Sequence, residues 1–343
     1  MRTLTRRELN RALLARQLLL ERGSLPLPEA LERVAGIQAQ YAPSMYVGLW
    51  SRLTRFERDM LDAALEQRTA VQGTLMRVTI QLVSRADYWP FALATRAARR
   101  ERWLRSARDA PGAAAMAGAA WTLRRRLARD GELRRGEVEE LLGKTRAHGV
   151  GLWLDLVRVP PAGTWERRRA DVYGAAEDWI GPPGLTVRAA TEHLVRRYLA
   201  GFGPASANDV ASFTGLGVTT IAPTLAKLDL RRFRGEDGAE LLDLPDGPLP
   251  DPETPAPPRF LPTWDATLLV HARRTGVLPE EHRPKLFSTK TPHSFPTFLV
   301  DGAVAGKWRR ERGRIEVEPF GRLDAATRRA LNAEAERLLA LHA

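Results

Sequence analysis

The feature that most constrains this chain is an element order that recurs: helices followed by a pair of short strands, three times before residue 245. The third writing is the clearest. Apolar periodicity predicts a helix over 186–200, and Ser206-Ala207-Asn208-Asp209 is a capping pattern for the next one. Ile221, Leu225 and Leu228 stand at i, i+4 and i+7 on a third helix. Residues 230–234 and 239–244 then flank Glu236-Asp237-Gly238, where Asp-Gly favours a tight hairpin turn.

The first writing opens on Thr5-Arg6-Arg7-Glu8, a capping box ahead of an apolar stripe at Leu9, Leu13 and Leu20. After Gly23-Ser24-Leu25-Pro26 a second helix is expected from Pro28 to about Ala35. A turn over 36–43 leads to helices over 45–52 and 56–66, and strands over 69–76 and 78–84. In the second writing, helices are expected over 121–129 and 135–142, and strands over 154–159 and 164–173 around Pro160-Pro161-Ala162-Gly163. No close sequence repeat relates the copies, so the inference rests on order. That order is the one of a winged helix-turn-helix.

The predicted architecture is therefore α+β: three tandem winged helix-turn-helix modules with a C-terminal β-rich domain. The expected divisions are 1–90, a basic helical segment with the second module over 91–180, and 181–245. Residues 246–258 hold six prolines and should form an extended connection. The β-rich domain spans 259–343, with strands over 297–300, 303–308 and 314–319 and a closing helix over 327–342.

Of 53 basic residues only five are lysine, and the formal charge is +12. Guanidinium suits phosphate, so the balance points to an anionic polymer, although a GC-rich genome inflates arginine by itself. The distribution adds to the case: residues 91–135 hold twelve arginines against four acids. Zero cysteines exclude disulfides and thiol chemistry. No apolar run is long enough for a membrane span. The start, Met1-Arg2-Thr3-Leu4, lacks the apolar core of a secretory signal, so the chain is expected in the cytoplasm.

Several chemistries are unsupported. There is no phosphate-binding G-x-x-x-x-G-K-[ST], no dinucleotide G-x-G-x-x-G and no G-x-S-x-G elbow. His148, His193, His271, His282, His293 and His342 show no metal-ligand spacing. No metal and no nucleotide cofactor is expected, and catalysis must rely on ordinary polar side chains.

Gln38-Ala39-Gln40 draws attention for that reason. It lies between two helices beside Tyr41, and alternate residues of an extended segment point the same way, which brings two carboxamides to one site. The competing reading is two amides that cap neighbouring helices. Arg77 and Gln81 on the first hairpin are either groove probes or ordinary solvent-facing strand residues. Trp264 and Asp265 either approach a ligand or organise a domain junction, the latter because an Asp after Leu-Pro often fixes backbone amides. Phe298 and Trp308 are expected in the C-terminal core.

Gly36-Ile37-Gln38-Ala39-Gln40-Tyr41-Ala42-Pro43, with Leu49-Trp50-Ser51-Arg52, resembles the Q-Φ-Q motif of the AlkZ and YcaQ winged-helix DNA glycosylases. Further blocks follow in family order. These are Gly73-Thr74-Leu75 through Gln81-Leu82-Val83, Gly203-Pro204-Ala205 with Asp209, Phe260-Leu261-Pro262-Thr263-Trp264-Asp265, and Phe298-Leu299-Val300-Asp301-Gly302 with Gly306-Lys307-Trp308. The resemblance covers almost the whole chain. Gln40 lies on the AlkZ side of the pattern, since the YcaQ branch is acidic there. Gln81 stands where many relatives carry histidine.

The resemblance implies excision of alkylated bases from double-stranded DNA by hydrolysis of the N-glycosidic bond, with Gln38 and Gln40 as the catalytic pair. Tyr41, Arg77, Gln81, Trp264 and Asp265 follow as candidates for contact with DNA or lesion. The chain is expected to act as a monomer, without cofactor or membrane partner. A winged-helix regulator that only reads DNA, and a damage-binding protein without catalysis, share the fold and the charge.

Overall fold

In a computed structural model, all residues are described except 107–110, 270–275, 288–293 and 343. Among the described residues no helix is long and apolar enough to cross a membrane. The fold is mixed α+β. His271 and His293 lie outside the described residues.

The first helix, Arg6–Arg16, begins as expected: Thr5 accepts the Glu8 N–H and Glu8 accepts the Thr5 N–H. It stops earlier than the apolar stripe suggested. Leu18 takes a left-handed φ of 56°, so Leu20 lies beyond the helix and packs as part of a loop.

Three copies of one connectivity follow. In the first, helices Leu27–Arg33, Ala42–Arg52 and Arg58–Glu66 precede the hairpin strands Ala70–Thr74 and Ile80–Ser84. In the second, helices Ala113–Asp130, Arg135–Leu142 and Lys144–Gly149 precede Leu156–Arg158 and Val172–Ala175. In the third, helices Val187–Phe202, Ala207–Thr214 and Val218–Lys227 precede Arg231–Gly235 and Glu240–Asp243. In every copy a short segment after the first helix pairs with the returning hairpin strand. Ile37–Gln38 pairs with Leu82 and Gln81, Glu132–Arg134 with 172–174, and Ala205 bridges Leu242.

The first two hairpins are not separate. Gly73 pairs with Val157, which joins both into one six-stranded sheet. A single row crosses it: Gln38, Gln81, Gly73, Val157, Gly174 and Glu132. The two halves of this row carry equivalent strands in mirrored order, so the copies meet back to back through their central strands. Glycine is required at the meeting point, because a β-carbon on Gly73 would lie 2.6 Å from the Tyr88 ring. Tyr88 belongs to the long helix Arg85–Ser106, which the basic segment builds. The expected strand over 164–173 is mostly loop. Its backbone folds on itself instead, with the Gly163 N–H reaching Arg167 and Arg169 carbonyls.

The first helix packs with the third copy. Thr3–Leu4 extends the third hairpin in parallel with Arg234–Gly235, and Arg16 forms a fully buried pair with Asp243 at 2.9 and 3.0 Å. Arg7, Arg11 and Arg16 donate to the carbonyls of Pro252, Thr254 and Pro248, so the proline-rich connection is pinned along this helix.

The C-terminal sheet has four antiparallel strands: Arg259–Leu261, Thr297–Val300, Ala303–Glu311 and Arg314–Pro319. The closing helix Ala325–Leu341 and the aromatics Phe260, Phe298 and Trp308 pack into the same core as the helices of the first copy. Both Phe298 and Trp308 are buried, as expected from the sequence.

Candidate active site

Ile37 and Ala39 are buried in the core of the first copy, which leaves Gln38 half-buried and Gln40 exposed. Gln38 occupies the edge strand and shares a sheet face with its ladder partner Gln81. Its carboxamide has no hydrogen-bond partner among the described residues. Gln40 lies just past the strand, where its Oε1 accepts the Ile80 N–H at 3.2 Å while Ala39 donates to the Ile80 carbonyl at 2.7 Å. The hairpin end thus fixes the Gln40 oxygen and leaves its NH2 group for other partners. In the second and third copies the helix starts three and two residues sooner after the equivalent strand or bridge, so the Gln40 position belongs to a longer connection.

Gln40 lines a cleft of about 440 Å³ between the first hairpin and the second copy. Thr74, Val78 and Ile80 form one wall, Arg102 and Trp103 of the long helix another, and Arg135, His148, Arg158 and Tyr173 the third. Among the described residues no carboxylate lines it. Arg158 donates to Thr74 Oγ1 at 3.1 Å and lies over the Tyr173 ring at 4.3 Å, and burial holds its guanidinium below the ordinary value. Arg135 is offset by Glu139 at 2.7 Å. The structure gathers Gln40 with these cations; Gln38 does not line the cleft.

The other sequence candidates separate into two groups. Tyr41 is exposed beside Gln40, and its hydroxyl accepts from Arg168 at 3.1 Å. Arg168 pairs with no carboxylate among the described residues, so the two form an open polar ledge next to the cleft. Arg77, Gln81 and Asp265 are turned inward. Arg77 sits in the hairpin turn with φ 56°, donates to the Phe213 carbonyl and stacks over that ring at 5.3 Å. Burial without a facing carboxylate pulls its pKa down to about 10. It docks the first hairpin onto the third copy and does not probe solvent. Gln81 is 3% exposed and donates to Thr79 Oγ1 at 2.6 Å, so the solvent-facing and groove-probing readings both give way to a place inside the sheet.

Asp265 favours the junction reading. It receives two hydrogen bonds from Arg52, and the Thr267 N–H and hydroxyl also donate to it. Burial pushes its carboxyl up, but Arg52 and Thr267 outweigh this and hold it below the usual range. Trp264 is half-buried with φ 58°, and its N–H donates to Ser294 Oγ at 2.7 Å.

No motif marks Arg102, Trp103, His148, Arg158 or Tyr173, which come from separate elements. The arginine density over 91–135 was the one signal that led toward Arg102.

No curated protein sequence matches the chain. Among solved structures it is similar to the DNA glycosylase AlkZ of Streptomyces sahachiroi, with a TM-score of 0.78 at 18% identity, over 99% of this chain and 96% of that one. The family model for AlkZ-like DNA glycosylases matches residues 31–341, and the chain belongs to that family.

Proposed function

We propose that this chain is a monofunctional DNA N-glycosylase that releases N7- or N3-alkylated purines, bulky or cross-linked adducts included, from duplex DNA. It acts as a cytoplasmic monomer through three tandem winged helix-turn-helix modules. The strand-to-hairpin pairing repeated in all three copies supports the module count.

One observation carries the chemistry: Gln40 stands at a cleft lined by arginines and, among the described residues, by no carboxylate. Such a site attracts phosphate but offers no strong general acid. It therefore suits a leaving group that needs none. Alkylation at N7 or N3 gives the purine a positive charge, so the glycosidic bond breaks toward an oxocarbenium-like sugar while its electron pair neutralises the base. A water then adds its oxygen to the anomeric carbon and releases a proton to solvent. Gln40 and Gln38 orient that water and the sugar through neutral amides, and positioning supplies most of the acceleration.

The test is a duplex carrying one N7-methylguanine, incubated with the protein and scored for alkali-labile strand scission. Scission at the lesion supports the reading. Protection of a specific undamaged sequence with no scission favours a regulator and defeats it.

A further inference from the structure

The cleft is more than an approach to Gln40, because its walls hold two kinds of recognition surface together. Trp103 and His148 pack with ring centroids 5.5 Å apart and planes tilted by 40°, and Tyr173, under Arg158, lines the same cleft. Flat π-surfaces of this kind stack on nucleobases with little regard to sequence. The Arg158 guanidinium lines the same cavity, where no carboxylate stands among the described residues. Arg102 adds an exposed cation without an ion-pair partner among the described residues at the same wall. A volume of about 440 Å³ falls in the range of small-molecule sites, too small for a duplex and ample for one nucleotide.

We propose that this cleft is a nucleotide pocket: it binds a nucleoside phosphate, the base against Trp103, His148 and Tyr173 and the phosphate against Arg158 and Arg102. Two sources present that chemistry, a nucleotide extruded from bound DNA and a free nucleotide. The arginine-rich wall and the position beside Gln40 favour the extruded one, because turning a nucleotide out of the helix next to Gln40 loosens the stack around the target sugar. This assignment rests on the glycosylase reading and gives that site a second ligand.

The experiment uses the full chain and two probes. Calorimetry measures binding of dGMP, and 2-aminopurine fluorescence reports unstacking at positions flanking a site in an otherwise undamaged duplex. Wild type is compared with Arg102→Ala and His148→Ala. The expected result is a several-fold fluorescence rise on binding, cut at least fivefold in both variants when each is compared at a protein concentration that saturates the duplex. Binding of dGMP that weakens in both variants, without a fluorescence rise, keeps the pocket and assigns it to free nucleotides. Absence of both signals, or signals equal in all three proteins, overturns the proposal. Neither probe requires base release. Release of N7-methylguanine by a chain that gives no such signal removes the pocket alone, and nucleotide binding by a chain that releases no base removes the glycosylase reading alone.

Discussion

Arg52 grips Asp265 with two hydrogen bonds of 2.9 and 3.0 Å, joining the third helix of the chain to the start of the C-terminal sheet. The same guanidinium donates to Gln17, whose own amide donates to Gly201, so one chain of contacts ties the first helix and three segments of the fold together. Removing the acid strands a buried cation. Asp265→Ala should cost about 3–5 kcal/mol of unfolding free energy. Urea melts read this directly, and the salt dependence of DNA binding should stay as in wild type. A variant as stable as wild type would remove the junction role.

Arg77 is a half-buried cation of another kind, with a carbonyl and a ring for partners and no acid among the described residues. Arg77→Met should cost about 1.5–3 kcal/mol, the value of a hydrogen bond from a charged group, and should leave the salt slope of DNA binding unchanged. A reduced slope with unchanged stability would return Arg77 to the DNA surface.

Tyr41 and Arg168 form the exposed counterpart. Arg168→Ala should lower the slope of log K against log salt by about one and weaken binding to all duplexes alike, as loss of a single phosphate contact does. Filter binding across a salt series measures it. A variant with the wild-type slope shows that Arg168 does not touch phosphate.

His342 gives the fold a pH dependence. Burial first, then Arg310, Arg58 and Arg168, depress its pKa to about 4, and its ring packs against Trp165 and Trp308. Between pH 6.5 and 4 the unfolded chain binds more protons at this residue than the folded one. Stability from this group is therefore complete above pH 6.5 and is lost as pH falls toward 4. His342→Phe keeps the ring packing and should flatten the melting temperature across that window. A slope identical to wild type would contradict it.

Local signals were readable in the sequence wherever neighbours along the chain decide the structure. The capping boxes at Thr5/Glu8 and Ser206/Asp209 and the Asp237-Gly238 turn are of this kind. The strand Ile37–Gln38 was hidden because two residues carry no periodicity, and its pairing depends on Leu82 and Gln81 more than forty residues away. Fusion of the first two hairpins hangs on one register pair, Gly73 with Val157, which no local pattern announces. The site divides the same way. The Gln38 and Gln40 spacing was visible, whereas the inward turn of Arg77 and Asp265 depends on Phe213 and Arg52, far off in sequence.

The central claim is that the two neutral carboxamides carry the chemistry. Its most direct test is the single-turnover rate of N7-methylguanine release from a duplex, measured for wild type, Gln38→Ala and Gln40→Ala at saturating protein. Loss of preorganised hydrogen-bonding groups should slow release by about 10²-fold or more in each variant, with duplex affinity within about threefold of wild type. Release at the wild-type rate in both variants would contradict the account.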